Sequence, residues 1–381
     1  MSNPNLKIIE ICPFSKGICG VWARVLSESN EFTRLGNNVT VISSDIIKGT
    51  DEKAICEEEI EGISIKRFKS KKVSFSRNVT SFNFESELEK LIDQNNADIV
   101  ITHLLHPHSF KALKICKKNN IPCYLVTHAP FNVKRKFPLN LATSVYNKFK
   151  VKPLLNKFTK IIAITKWEYP YLQKLGVNKD KIVYIPNGLP EEFFSEKITN
   201  SVKGKDVLFL GRIAPIKNLE TLVYAAKLLP SLNFAIVGSF EKDYLDNLNK
   251  LIKHDNLKNI KILPPVYNLK QKIRLIDSYK LFVLPSNREA MPQVLLEAMA
   301  RQRMVISSNT DGGKEIIRNK YNGLLFEIGN YKELADLIRS SLFEKNLQKQ
   351  ARKDSNKYSW RKLIKVYLSL FKNDINNNNR L

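Results

Sequence analysis

Short apolar runs that do not alternate with polar residues recur along this chain, each followed by a longer amphipathic stretch. Ile8-Ile9-Glu10-Ile11, Val39-Thr40-Val41-Ile42, Ile63-Ser64-Ile65, Ile99-Val100-Ile101, Cys123-Tyr124-Leu125-Val126 and Ile161-Ile162-Ala163-Ile164 make a first series. Residues 206–210, 233–237, 259–262, Leu281-Phe282-Val283-Leu284 and Met304-Val305-Ile306 make a second. A run apolar at nearly every position suits a strand covered on both faces, as in a parallel sheet flanked by helices. The segments between read as helices at 20–35, 82–95, 110–118, 139–157 and 167–175, then at 218–229, 243–253, 269–278 and onward from Pro292. Alternation of this kind, completed and then restarted near residue 200, predicts an α/β chain of two doubly wound domains. The first is expected over 1–188 and the second over 189–355, with a hinge near Asn187 to Glu192.

The segment from Leu281 to Ile317 concentrates the chemistry. Pro285-Ser286-Asn287 ends a strand, Pro292 suits the first turn of a helix, and Asp311-Gly312-Gly313 opens another helix. Glu289 lies in the loop and Glu297 inside the helix, eight residues on. Open α/β sheets bind ligands beyond the carboxyl ends of their strands, and both carboxylates are expected there.

These residues carry a resemblance. Glu289 and Glu297 within PSNREAMPQVLLEAMA resemble the E-x7-E signature of the retaining nucleotide-sugar glycosyltransferases of family 4, which have the GT-B fold. Three more blocks agree in order. They are Val183 to Gly188, the Phe209-Leu210-Gly211-Arg212 run with Lys217, and Gly312 to Ile317 followed by Asn322-Gly323-Leu324-Leu325. The blocks span residues 183 to 325, and the N-terminal half is similar only in its strand pattern and a few glycines and histidines.

The resemblance implies GT-B architecture: two Rossmann-like domains with a central crevice. Residues 356–381 are then the last helix, crossing back onto the first domain, with Trp360, Leu363, Ile364, Tyr367, Leu368 and Phe371 as its apolar face. It implies that the second domain binds the donor and the first the acceptor. Arg212 and Lys217 take the diphosphate, as a fork and a point charge suit phosphate oxygens. Glu297 takes the ribose diol, Glu289 faces the transferred sugar, and the loop at Met291 and Gln293 meets sugar and phosphate. Gly312 and Gly313 offer amides to an anion. Gly20 is the candidate for close approach in the first loop, where the family's Gly-Gly pair is split as G-I-C-G and Cys19 replaces one of the two. Pro264-Pro265 stands where the family has a glycine near the base. His128 in VTHAPF matches a position near the reacting sugar, and His103 and His106 are candidates for the acceptor side. Retention is ascribed in the family to same-face attack, with the leaving phosphate helping to take the acceptor proton. No metal or other cofactor is expected, since neither acid nor cysteine stands near the H-x2-H-x-H spacing of His103, His106 and His108.

Composition narrows the setting. The apolar fraction of 43% and charged fraction of 26% are those of a globular protein, and no run is long enough to span a bilayer. MSNPNLKIIEICPF lacks the pattern of a signal peptide. The five cysteines include no C-x-x-C pair, as expected of reduced thiols in the cytoplasm. The formal charge is +25, and from Ile99 to Trp167 there is no Asp or Glu against thirteen Lys or Arg. With the run from Lys66 to Arg77, this predicts an anionic membrane surface as partner, beside a nucleotide sugar and a glycan or lipid-linked acceptor. Nucleic acid is not expected, because no readout motif is present. The expected activity is hexosyl transfer at the inner face of the cell membrane. An epimerase or phosphorylase of the same fold, or a non-catalytic polyanion-binding protein, stand as alternatives. The donor nucleotide, the sugar and the acceptor are not legible in these residues.

Overall fold

The computed structural model describes residues 5–17, 19–48, 52–72, 80–129, 151–199, 202–342 and 345–378. The chain forms two compact units, Leu189–Ser359 being one and the preceding chain together with Trp360 onward the other. Most of the helix expected at 139–157 lies outside the described residues; Lys152–Leu155 is helical.

The first unit is built on an eight-stranded sheet. Its order is Ile182–Tyr184, Lys160–Ala163, Cys123–Val126, Ile99–His103, Lys7–Cys12, Asn38–Ser44, Ile63–Phe68 and Glu57–Ile60. All neighbours are parallel except the last pair. The chain starts at Lys7–Cys12, builds outward to one side, then returns to build on the other. The reversal places Lys7–Cys12 beside Ile99–His103, with Glu10 level with Ile101 and Ile11 with Thr102. Such a switch point opens a cleft between the loops that follow the two strands.

The second unit has a six-stranded, all-parallel sheet in the order Ile260–Leu263, Phe234–Val237, Val207–Leu210, Leu281–Leu284, Met304–Ser308 and Leu324–Phe326. Its switch point falls between Val207–Leu210 and Leu281–Leu284. These strands are buried at every position, as their unbroken apolar runs require.

The final helix, Trp360–Asn378, packs within the first unit. Tyr367 meets Phe32 edge-on with centroids 5.6 Å apart, Phe371 stacks on Phe32 at 5.8 Å, and the Tyr124 hydroxyl donates to Asp374 at 2.7 Å. A Cβ on Gly188 would lie 2.5 Å from the Trp360 ring, so only glycine lets the chain pass beneath that indole.

Two elements depart from expectation. Glu57–Ile60 is an antiparallel edge strand that three consecutive glutamates conceal. The helix expected from 110 begins at Pro107, because proline fits its first turn and His106 precedes it as the cap.

Candidate active site

In the second unit the loops at the switch point are bound to each other. Asn287 donates its amide to Ile216 at 2.9 Å, joining the loop after Leu281–Leu284 to that after Val207–Leu210. A Cβ on Gly238 would sit 1.8 Å from the Gly211 carbonyl oxygen, so glycine is required for these strand ends to touch. Arg212 follows Gly211 and pairs with Glu241 at 3.1 Å, both side chains being about half exposed (50% and 49%). A pair so exposed is weak and yields readily to a stronger anion.

Lys217 ends a 3-10 turn, Pro215–Lys217, and Asn218 turns the chain into the next helix through a left-handed conformation, φ 49°. The Lys217 ammonium reaches Glu289 Oε1 at 2.5 Å, and the Ser286 hydroxyl donates to the same oxygen at 2.6 Å. Glu297, on the helix Gln293–Ala300, is only 6% exposed. Lys272 holds its Oε1 at 2.8 Å, while Oε2 is buried without a hydrogen-bond partner. Met291 is buried and Gln293 half-buried at the start of this helix.

Gly312 and Gly313 stand at the start of the short helix Asp311–Ile316, but their amides are engaged. Gly312 donates to the Glu289 carbonyl at 3.2 Å and Gly313 to the Thr310 hydroxyl at 3.1 Å. A Cβ on Gly312 would lie 2.6 Å from the Ala290 carbonyl oxygen. What the structure gives this glycine is close packing against the Glu289 loop.

In the first unit the histidines are organised from within. His103 is fully buried. Its Nε2 lies 2.6 Å from Glu10 Oε2 and its Nδ1 lies 3.0 Å from His128 Nε2. The expectation that His103 and His106 face an acceptor is therefore corrected for His103, which stands behind His128 with no exposed surface. His106 is nearly buried as a helix cap, with its Nδ1 2.5 Å from His108 Nδ1. His108 is also buried, and its Nε2 meets the His103 carbonyl at 2.8 Å. Burial pushes His103 and His106 down to about 4 and holds His108 well below the usual histidine value, so these rings are neutral near neutral pH.

His128 and Ala129 both adopt left-handed φ, 59° and 51°. Glu168 holds that bend. It accepts from the Ala129 amide at 3.1 Å, from the Ile164 and Thr165 amides at 2.9 and 3.0 Å, and from the Thr127 hydroxyl. Sequence reasoning missed Glu168, although it is the first acid after the long acid-free stretch. It also missed Lys272 and Glu10. Gly20 opens the helix Gly20–Arg34, and an added Cβ there meets nothing within 4 Å; Cys19 is buried at its cap.

Beneath His103 lies a second layer. Arg24 is fully buried and donates to Asn187 Oδ1 at 2.8 Å, to the Tyr367 hydroxyl at 2.8 Å and to Glu28 at 3.2 Å. Burial pushes Glu10 up to about 8 and Glu28 to about 7, against the pull of Arg24. Glu10, Glu28 and His103 offer atoms within 4.8 Å of one another, so the fold brings two acids to a histidine that has none near it in the sequence, and Arg24 pairs with Glu28 at 3.2 Å.

Two parallel doubly wound sheets, each with its switch point, define the GT-B class of nucleotide-sugar transferases. A glycosyltransferase from Rickettsia africae has this fold, with a TM-score of 0.78 at 20% identity over 98% of this chain and all of that one. The family described as Glycosyltransferase Family 4 matches residues 18–193, and Glycosyl transferases group 1 matches residues 190–358. An uncharacterized glycosyltransferase of Methanocaldococcus jannaschii is 27% identical over 74% of this chain and 78% of its own length. UDP-Gal:alpha-D-GlcNAc-diphosphoundecaprenol alpha-1,3-galactosyltransferase of Escherichia coli is 28% identical over 64% of this chain and 66% of its own. The chain belongs to glycosyltransferase family 4 and is a glycosyltransferase.

Proposed function

We propose that the chain transfers a hexose from a nucleotide sugar to a lipid-linked or glycan acceptor, with retention of anomeric configuration and without a metal. The observation that carries the donor half is Glu297. A buried carboxylate with one oxygen held by Lys272 and the other unpartnered is incomplete until a donor such as a sugar hydroxyl arrives. Arg212 and Lys217, at the carboxyl end of Val207–Leu210, are the cations for the diphosphate. Glu289, fixed by Lys217 and Ser286, is read as the group that meets the transferred sugar, and His128 is kept as a catalytic candidate. Preorganised charge of this kind is the main resource for expelling a diphosphate.

The lipid-linked acceptor is supported by the Escherichia coli relative, whose name specifies a diphosphoundecaprenol substrate. Among the described residues no helix is long and apolar enough to cross a membrane. Access to such an acceptor would then come by docking of the basic first unit on an anionic surface, at the cytoplasmic face.

A thermal-shift panel of UDP, GDP and ADP sugars tests the donor half. One nucleotide series should raise the melting temperature of the wild type and fail to do so in Glu297→Ala. If no nucleotide sugar stabilises the protein, the reading is wrong. Product analysis with the active donor separates transfer from epimerisation or phosphorolysis.

A further inference from the structure

Lys349 and Lys353 lie four residues apart on the helix Lys345–Ser355, with Arg352 beside them, so three cations share one side of that helix. Like charges at this spacing repel and weaken a helix. Among the described residues neither lysine side chain has an ion-pair or hydrogen-bond partner. The neighbouring acid, Asp354, is turned to other groups: it accepts from Asn322 at 2.9 Å and from Gln350 at 2.7 Å. The three cations, together with Phe194, Gln302 and Asn356, line a cavity of about 350 Å³ in the second unit, and no Asp or Glu among the described residues lines it.

Both lysines are exposed and Arg352 is half-buried. The Arg352 guanidinium donates to the Ala300 carbonyl at 2.8 Å and to the Phe194 carbonyl at 3.0 Å. Those carbonyls fix the fork without neutralising it, and they use two of its five N–H groups. Burial and the neighbouring Arg301 pull Arg352 below its ordinary value, with Asp277 as the opposing charge. Asp277 is already gripped by Arg301 through both oxygens, at 2.9 and 2.7 Å. The cavity therefore holds positive charge that the fold leaves uncompensated.

Its place in the fold separates it from the donor site. The strands of the second unit run parallel, and Arg212, Lys217 and Glu289 all follow carboxyl ends. Gln302 instead precedes Met304–Ser308, at the amino end of the sheet. Five residues of strand, at ~3.3 Å each, lie between the two ends.

We propose that this cavity binds the phosphate monoester of a small hydroxylated compound, as a second anion site distinct from that for the donor diphosphate. The Arg352 fork suits two phosphate oxygens in parallel, and the two ammonium groups act as point charges. The side-chain amides of Gln302 and Asn356 suit hydroxyl groups. The volume is at the small end for ligand cavities, which fits a sugar phosphate better than a complete nucleotide sugar.

Thermal melting of the full chain at fixed ionic strength tests this, with glucose 6-phosphate as the probe and glucose as its uncharged control. Glucose 6-phosphate should raise Tm saturably, by ~3 °C or more at about ten times its dissociation constant, and glucose should not. The rise should persist in Arg212→Ala/Lys217→Ala, which lacks the cations assigned to the diphosphate. It should be lost in Lys349→Gln/Lys353→Gln, whose nucleotide-sugar affinity stays at the wild-type level. Lys250→Gln/Lys253→Gln removes the same charge from exposed positions on the helix Lys242–His254 and should respond like the wild type. The proposal is overturned by the absence of a saturable rise, or by an unchanged rise in Lys349→Gln/Lys353→Gln. Loss of the rise in Arg212→Ala/Lys217→Ala also overturns it, because the phosphate then sits in the donor site, and loss in Lys250→Gln/Lys253→Gln does so by reducing the effect to net charge. Failure of every nucleotide sugar to bind sinks the donor reading alone and leaves this test standing.

Discussion

Lys272 holds one oxygen of Glu297 at 2.8 Å and leaves the other without a partner in a nearly closed setting. The two residues sit on different helices, Leu269–Ser278 and Gln293–Ala300. Glu297→Ala should weaken nucleotide-sugar binding by ~1.5–3 kcal/mol, the range for hydrogen bonds to a charged group. Removing Lys272 alone strands a buried carboxylate, which is the more damaging change to the fold. Lys272→Met should therefore melt lower than wild type, and Lys272→Met/Glu297→Gln should regain most of the loss without regaining binding. Wild-type donor affinity in Glu297→Ala, measured by calorimetric titration, would remove the ribose assignment.

Glu289 is tied to Lys217 and Ser286, and its backbone carbonyl accepts from Gly312. The carboxylate is thus oriented before any substrate binds. Glu289→Gln keeps the size and one acceptor oxygen for Lys217 and Ser286 while removing the charge. Transfer should fall by ~10²-fold or more, the scale of a positioned electrostatic group, with nucleotide affinity within about threefold. Normal turnover would mean that the sugar is bound elsewhere.

The strands were legible because burial on both faces demands apolar residues throughout, as at Leu281-Phe282-Val283-Leu284. The edge strand Glu57–Ile60 was not, since solvent on its outer side admits glutamates. Lys345–Ser355 escaped notice for a similar reason: KNLQKQARKDS offers few apolar residues from which to read a helical period. At the site, Glu289, Glu297, Arg212 and Lys217 were read from their resemblance to family motifs. Their partners were not. Glu10 meets His103 across 93 residues, and Lys272 meets Glu297 across 25. Apolar runs identify strands without saying which strands are neighbours, and the switch point decides that. The four histidines were visible as a cluster, but the setting of His103 depends on Glu10 and the bend at His128 on Glu168, which look like ordinary acids in the sequence.

The buried titratable groups set a pH optimum for stability. His103 and His106, pushed down to about 4, and His108, also lowered, stay neutral when folded, while unfolded histidine binds a proton below about 6.5. Through that range the unfolded state holds more of these protons, so stability rises with pH up to about 6.5. Glu10 and Glu28 act in the opposite sense. Pushed up from 4.5 to about 8 and about 7, they hold protons in the folded state that the unfolded state has lost. Their contribution lowers stability progressively from about pH 4.5 to about 8. Three histidines outweigh two acids below pH 6.5, and above it the acids act alone among these five. Melting temperature should peak near pH 6.5 and fall toward pH 8.5, with a shallower fall in Glu10→Gln. A melting temperature that climbs steadily from pH 6.5 to 8.5 would contradict this assignment of protons.

Docking on an anionic membrane makes a different demand on the basic stretches. Lys66 is paired with Glu87 at 2.5 Å, Arg67 is buried against Glu58 at 2.6 Å, and Lys111 is paired with Glu85. These three cations serve the fold and have little charge to offer a bilayer. Lys134, Arg135 and Lys136, with Lys148 and Lys150, lie outside the described residues and remain the basis of the docking proposal. Each cation engaged at an anionic surface contributes ~1 kcal/mol, so about five or six suffice for reversible binding. The wild type should float with anionic liposomes at low salt, bind neutral ones weakly, and be released as salt shortens the screening length. Reversing Lys134, Arg135 and Lys136 to Glu should weaken flotation and leave donor affinity unchanged. Lys66→Glu should instead lower the melting temperature by setting two acids against each other, with flotation little altered. Failure of the wild type to bind anionic liposomes at low salt would refute docking and favour a soluble acceptor.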